Sequence, residues 1–165
     1  MDSWGYQKLM KDIKPTTFEH LQAAVALYRP TTLAANLHTE YIKNKRMGYK
    51  SINSIIDEVL GNTYGVLVYQ EQVMELAAKL GKMSLGEADL IRRALTKYQS
   101  TKVADWKGQN IIEDFHEKFI KGAVENNVSK KDAEELFEKM KKFSLYGFNC
   151  SHATGYAILA YLTMY

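Results

Sequence analysis

The chain has 165 residues, 46% of them hydrophobic, which is enough for one domain with its own core and excludes a disordered tract. Its 22 basic and 19 acidic side chains leave a formal charge of +3, too small for charge alone to mark a dedicated nucleic-acid binder. One cysteine permits no internal disulfide, no Cys/His spacing suggests zinc, and no leader or apolar run near the roughly 20 residues of a bilayer span is visible, so a soluble cytoplasmic protein with no membrane partner is expected.

The predicted elements begin between Pro15 and Pro30, where Thr16-Thr17-Phe18-Glu19 sets a glutamate three residues after a hydroxyl and predicts a capping box on a helix of about three turns. Ser54-Ile55-Ile56-Asp57 opens a short stripe of Ile55, Ile56, Val59 and Leu60, with Gly61 expected to close it in the left-handed region. Val66 to Tyr69 is the one strand-like stretch, too short to seed a sheet. From Gln70 to Leu80, Val73, Met74, Ala77 and Leu80 recur at helical spacing, and Gly81 supplies the stop. Ser84 with Glu87 caps the next helix, which turns Leu90, Ile91, Ala94 and Leu95 inward. It leaves Arg93 and Lys97, four residues apart, on one flank, with Arg92 about 100° away round the helix.

A polar loop is expected from Thr96 to Gly108. Ile111, Ile112, Phe115, Phe119 and Val124 then trace a long amphipathic helix that begins near Asn110. Ser129 with Asp132 starts another, with Ala133, Leu136, Phe137 and Met140 inward. Lys130, Lys131, Glu134, Glu135, Glu138 and Lys139 face water there and supply i,i+4 pairs. A last apolar helix starts near Ser151, and the fold class is mainly α. His20, His38 and His116 sit in unrelated surroundings and read as surface residues, while Trp4 and Trp106 have no motif around them.

Helix-forming pressure does not explain three islands: the stretch from Tyr64-Gly65 to Gln70-Glu71-Gln72-Val73-Met74, then Leu85-Gly86-Glu87-Ala88-Asp89-Leu90-Ile91-Arg92-Arg93-Ala94, then Tyr146-Gly147-Phe148-Asn149-Cys150-Ser151-His152-Ala153. In this order they resemble the fingers region of the bacterial replicative DNA polymerase III alpha subunit, a family C DNA polymerase. The resemblance runs from Ala26-Leu27-Tyr28-Arg29-Pro30 to the last residue, Tyr165. It implies a palm-edge segment with its leading helix at residues 1–48, and a helical fingers subdomain, truncated at its C-terminus, at 49–165.

By the same resemblance Arg92, Arg93 and Lys97 grip the triphosphate of an incoming deoxynucleoside triphosphate, His152 contacts it too, and Tyr146 packs on the sugar and base. Asn149 and Ser151 shape that loop, and Glu71 is a hydrogen-bonding partner that holds the arginines in place. Each residue also has a plainer reading: an Arg-Arg pair is usually solvated surface, a lone histidine usually caps a helix, and Glu71 suits a solvated helix start. Within the complete enzyme the resemblance implies magnesium as cofactor, with the primer–template and the other replisome subunits as partners.

The chain departs from the family at several positions. No aspartate lies between Pro30 and Gly48, where the family's third metal-binding aspartate is expected, and Glu40 is the best-aligned carboxylate for magnesium. Thr31-Thr32 stand for Gly-Pro, Cys150 for a lysine and Thr96 for a glycine. The resulting expectation is a fragment of a DNA-directed DNA polymerase that is inactive alone. Two alternatives are a non-catalytic helical module acting on a replication protein and a DNA-binding domain without nucleotide chemistry.

Overall fold

The structure is a computed structural model that describes residues 4–101, 109–144 and 147–163, with side chains for all of these except 98–101 and 109–111. Ten α-helices run through the described residues: α1 (Trp4–Ile13), α2 (Phe18–Leu27), α3 (Pro30–Ala34), α4 (Leu37–Met47), α5 (Ser54–Leu60), α6 (Gln70–Glu75), α7 (Leu85–Thr101), α8 (Gln109–Glu125), α9 (Lys130–Phe143) and α10 (Cys150–Thr163). The only strand-type pairing among them is one parallel bridge between Tyr69 and Phe148.

Short polar side chains set several helix starts, because the first amides of a helix have no partner within it. The Ser84 amide and hydroxyl both reach Glu87 Oε2 at 2.8 Å, and the Glu87 amide returns to Ser84 Oγ at 3.3 Å, closing the expected box on α7. At α9 the Asp132 amide donates to Ser129 Oγ at 3.1 Å. The box on α2 is built differently from the expectation. Thr17 is the N-cap, and His20 Nδ1, rather than Glu19, accepts the Thr16 and Thr17 amides at 3.1 and 3.2 Å. His20 is therefore buried rather than on the surface, and its Nε2 donates to the Tyr64 hydroxyl at 2.6 Å.

Two hydrophobic clusters form the interior. The larger joins α5 to α9 through Leu76, Leu80, Ile91, Leu95, Phe119, Phe137 and Met140. The smaller joins α1, α2 and α4 to the extended segment at Val66, Val68 and Tyr69 and to Ala153 of α10, which packs along α2. After α6 the helix widens into a π turn at Leu76–Leu80, closed by the Gly81 amide on the Leu76 carbonyl. There α8 crosses so closely that a Cβ on Gly122 would lie 2.5 Å from the Gly81 carbonyl carbon and oxygen.

Other differences from the sequence reading have local causes. Gly61 is right-handed and continues into a 3-10 turn; Tyr64 (φ 54°) and Gly65 (φ 77°) make the left-handed bend instead. Gly81 ends its helix in a right-handed conformation, and Lys82 takes the positive φ. Leu90 is 57% exposed and its inward place goes to Ala88, while Val124 faces out beside buried Ala123. Instead of opening a loop at Thr96, α7 runs on to Thr101, with Thr96 Oγ1 donating back to the Arg92 carbonyl at 2.9 Å. Trp106 lies outside the described residues. Among the described residues no helix is long and apolar enough to cross a membrane.

Candidate functional site

The three islands meet around the first turn of α6. After the left-handed bend at Tyr64-Gly65, the chain runs extended and buried through Val66–Tyr69, and Gln72 reaches back to hold it. Gln72 Oε1 accepts the Val68 and Tyr69 amides at 2.9 and 3.0 Å, while Nε2 donates to Thr63 Oγ1 at 2.8 Å and the Val59 carbonyl at 3.3 Å. With that segment fixed, Gln70 stands at the start of α6 facing both other islands. Its amide donates to the Phe148 carbonyl and its side-chain Nε2 to the Gly147 carbonyl, each at 2.9 Å, and Oε1 accepts Arg92 Nη1 at 3.4 Å. Gly147 suits this seat because a Cβ there would lie 2.6 Å from Gln70 Cγ.

On α7 the arginines share a counter-ion. Asp89 Oδ1 accepts Arg92 Nη2 at 2.7 Å and Nε at 3.1 Å, and Oδ2 takes Arg93 Nη2 at 2.6 Å. The guanidinium of Arg92, helped by Arg93, holds the Asp89 carboxyl below the usual carboxylate range. All three expected cations lie on α7, Arg92 half-buried and Arg93 and Lys97 exposed, and Arg92 is linked through Gln70 to the Gly147 carbonyl.

The third island is braced at the head of α10. Asn149 Oδ1 accepts the His152 amide at 3.0 Å, and Glu71 Oε2 accepts the Cys150 amide at 3.0 Å. Glu71 is thus corrected from a brace of the arginines to a brace of the loop; Asp89 and Gln70 hold Arg92. These two bonds also use amides that the helix N-terminus would otherwise offer to a phosphate, so side chains carry the site. His152 and Ser151 are exposed in the first turn, and the His152 ring lies 5.2 Å from Phe148 and 4.8 Å from Tyr156. Arg29 caps the other end of this row, its guanidinium 4.5 Å from the Phe148 ring centre. The Cys150 thiol is pushed up by burial and then by Glu71, and Gln22 Nε2 approaches Sγ at 3.1 Å. Tyr146 lies outside the described residues.

Four contributors were not singled out as site residues from sequence: Arg29, Gln70, Asp89 and Phe148. Asp89 was legible, since its spacing to Arg92 and Arg93 is i,i+3 and i,i+4. The Arg29–Phe148 contact joins distant parts of the chain and has no local signal.

Glu40 stands apart from this cluster. On α4 it faces Lys139 Nζ at 4.0 Å, and among the described residues no group of three or more His, Cys, Asp or Glu could hold a metal ion. A lone carboxylate against an ammonium does not fit magnesium, which takes its few protein ligands from carboxylates. These residues offer cations, an imidazole and aromatic faces, a set that suits a phosphorylated ligand.

Comparison with known proteins gives the same family as the resemblance read from the islands. The chain is 39% identical to DNA polymerase III subunit alpha of Halalkalibacterium halodurans over 168 residues, and 42% identical to that of Borreliella burgdorferi over 167. To the protein of the same name in Mycoplasma pneumoniae it is 39% identical over 165 residues. These matches cover 99–100% of the chain but only 14–18% of the relatives, so it spans a small part of their length. A family profile described as the bacterial DNA polymerase III alpha subunit finger domain matches residues 1–127, and the chain belongs to that family.

Proposed function

We propose that this chain is the nucleotide-gripping part of a replicative, DNA-directed DNA polymerase. Arg92, Arg93 and Lys97 take the triphosphate of the incoming deoxynucleoside triphosphate, and His152 adds a contact from the α10 side. Tyr146 and Asn149, with Ser151, shape the wall against sugar and base, and residues 1–48 form the edge toward the palm. The observation that carries this reading is Gln70, which hydrogen-bonds Arg92 and the Gly147 and Phe148 carbonyls together and so fixes the arginine helix against the loop that leads to His152.

Two guanidinium forks suit this task, because each can offer paired N–H donors to phosphate oxygens where charge builds during nucleotidyl transfer. Gln70, Glu71 and Asn149 hold the surrounding backbone, so little backbone reordering accompanies the exchange of Asp89 for the ligand. Primer–template DNA and the rest of the polymerase complete the site, and magnesium ligands come from outside these residues. A chain with this grip alone binds nucleotide and does not polymerise.

Calorimetric titration with deoxynucleoside triphosphate, with and without magnesium, tests the reading. Binding is expected, and Arg92→Ala with Arg93→Ala abolishes it while circular dichroism stays native. Equal binding by the double variant would overturn the proposal and favour a helical module with no nucleotide role.

A further inference from the structure

The two hydrophobic clusters do not close on each other everywhere. Between α4, which packs in the smaller, and α5 with α9, which pack in the larger, lies a cavity of about 530 Å³. That falls within the roughly 300–1,000 Å³ of sites that enclose a small molecule. Ile56, Leu60, Leu67, Leu136 and Phe143 line it, all of them core side chains.

One side of the cavity is a strap, residues 48–53, that joins α4 to α5. Gly48 turns the chain out of α4 at φ 78°, a value that glycine takes without steric cost. The Tyr49 hydroxyl then donates to Asp57 Oδ1 at 2.7 Å, and the Ser51 hydroxyl donates to Asp57 Oδ2. The Tyr49 ring lies on Gly65, where a Cβ would stand 2.8 Å from its Cδ2. Pinned at these residues, the strap is held at the rim instead of packing into the space, and Ile52 adds an exposed apolar side chain to the lining.

The charged residues of the lining decide what kind of molecule suits it. Glu40 faces Lys139 Nζ and Glu135 faces Lys131 Nζ, each at 4.0 Å, and Asp132 Oδ2 accepts the Ser129 hydroxyl at 2.6 Å. Lys50 on the strap and Lys142 on α9 also line the cavity, are exposed, and have no carboxylate partner among the described residues. An apolar body gains by leaving water for these walls, and an anionic head meets two cations that give up no partner to receive it. A cationic head would have to compete with Lys139 or Lys131 for its glutamate.

We propose that the cavity between α4, α5 and α9 binds a small amphipathic carboxylate, its apolar body against Leu60, Leu136 and Phe143 and its head toward Lys50 and Lys142. This site is separate from the arginine helix and does not depend on the nucleotide reading.

Calorimetric titration of the whole chain with decanoate tests it, with decylammonium, of equal chain length and opposite charge, as the comparison. Decanoate should bind one per chain and at least about tenfold more tightly than the cation. Changing Lys50 and Lys142 to glutamate should weaken decanoate binding at least about tenfold, while arginine at both positions should leave it within about twofold. Leu136→Trp, which fills the cavity from its wall, should weaken it at least about fivefold with native circular dichroism; the lysine variants, at exposed positions, decide the matter should that variant not fold. Leu159→Gln, on the exposed apolar side of α10, should leave binding unchanged. Absence of binding at about 1 mM decanoate, equal or tighter binding of the cation, equal binding by the glutamate variant or by folded Leu136→Trp, or loss of binding in Leu159→Gln would each overturn the proposal.

Discussion

Replacing Gln72 by leucine tests whether one amide holds the buried segment between the two hydrophobic clusters. Gln72 is buried, and its Oε1 accepts the Val68 and Tyr69 amides at 2.9 and 3.0 Å. Leucine fills similar space but offers neither amide an acceptor, and a buried unpaired donor costs about 1–3 kcal/mol. The donor side adds less, because the Thr63 hydroxyl still reaches the Leu60 carbonyl at 3.1 Å and the bond lost by the Val59 carbonyl is a long one at 3.3 Å. Two orphaned amides at about 2 kcal/mol each, offset by about 1 kcal/mol from the more apolar side chain, give a net loss of about 3 kcal/mol. Urea unfolding followed by circular dichroism would show the midpoint falling by about 1–3 M at an unchanged slope of about 1–3 kcal/mol per M. A loss below about 1 kcal/mol would refute the reasoning, since the two amides would then have found other partners without penalty.

Three further outcomes follow from local geometry. Gly122→Ala should lower stability by about 1–3 kcal/mol in a thermal melt, because its Cβ would sit 2.5 Å from the Gly81 carbonyl and α8 must back away; a neutral effect would mean the crossing is looser. Glu87 is held down to about 2 by Lys118 and Ser84, below its ordinary 4.5, so its contribution is present above about pH 4.5 and is lost as pH falls toward 2; Glu87→Gln should flatten that acid limb of the stability curve. Burial lowers His20 below its ordinary 6.5, so protonation favours the unfolded chain and stability is lost as pH falls below 6.5. Nitrogen-15 NMR of the folded protein should show the ring titrating below 6.5, with its neutral form protonated on Nε2, and a midpoint above 6.5 would contradict the cap.

Much of the fold could be read where physics is local. The box at Ser84 and the cap at Ser129 lie within four residues, and the inward row Ala133, Leu136, Phe137 and Met140 follows one helical period. Errors arose where a distant partner decided. His20 looked like a surface residue because its partner, the Tyr64 hydroxyl, is 44 positions away. The same reasoning put a left-handed residue at Gly61, yet the bend came at Tyr64 and Gly65, after a further turn of 3-10 helix. At the site, the arginines were visible as an i,i+1 pair, but the role of Glu71 depended on the Cys150 amide, 79 positions along the chain.

The carboxylate of Asp89, which bridges both arginines, gives the proposed nucleotide site a valence threshold. An ion that binds there must exchange with a tethered carboxylate whose local concentration is on the order of millimolar or higher, set by one helical turn. Chloride or acetate, with one charge, gains little by that trade. A triphosphate can occupy both guanidinium groups at once and leave Asp89 turned toward solvent. On this reading the arginine helix carries its own filter: Asp89 keeps both guanidinium groups engaged among the monovalent salts around them and yields them to ligands with several linked phosphates.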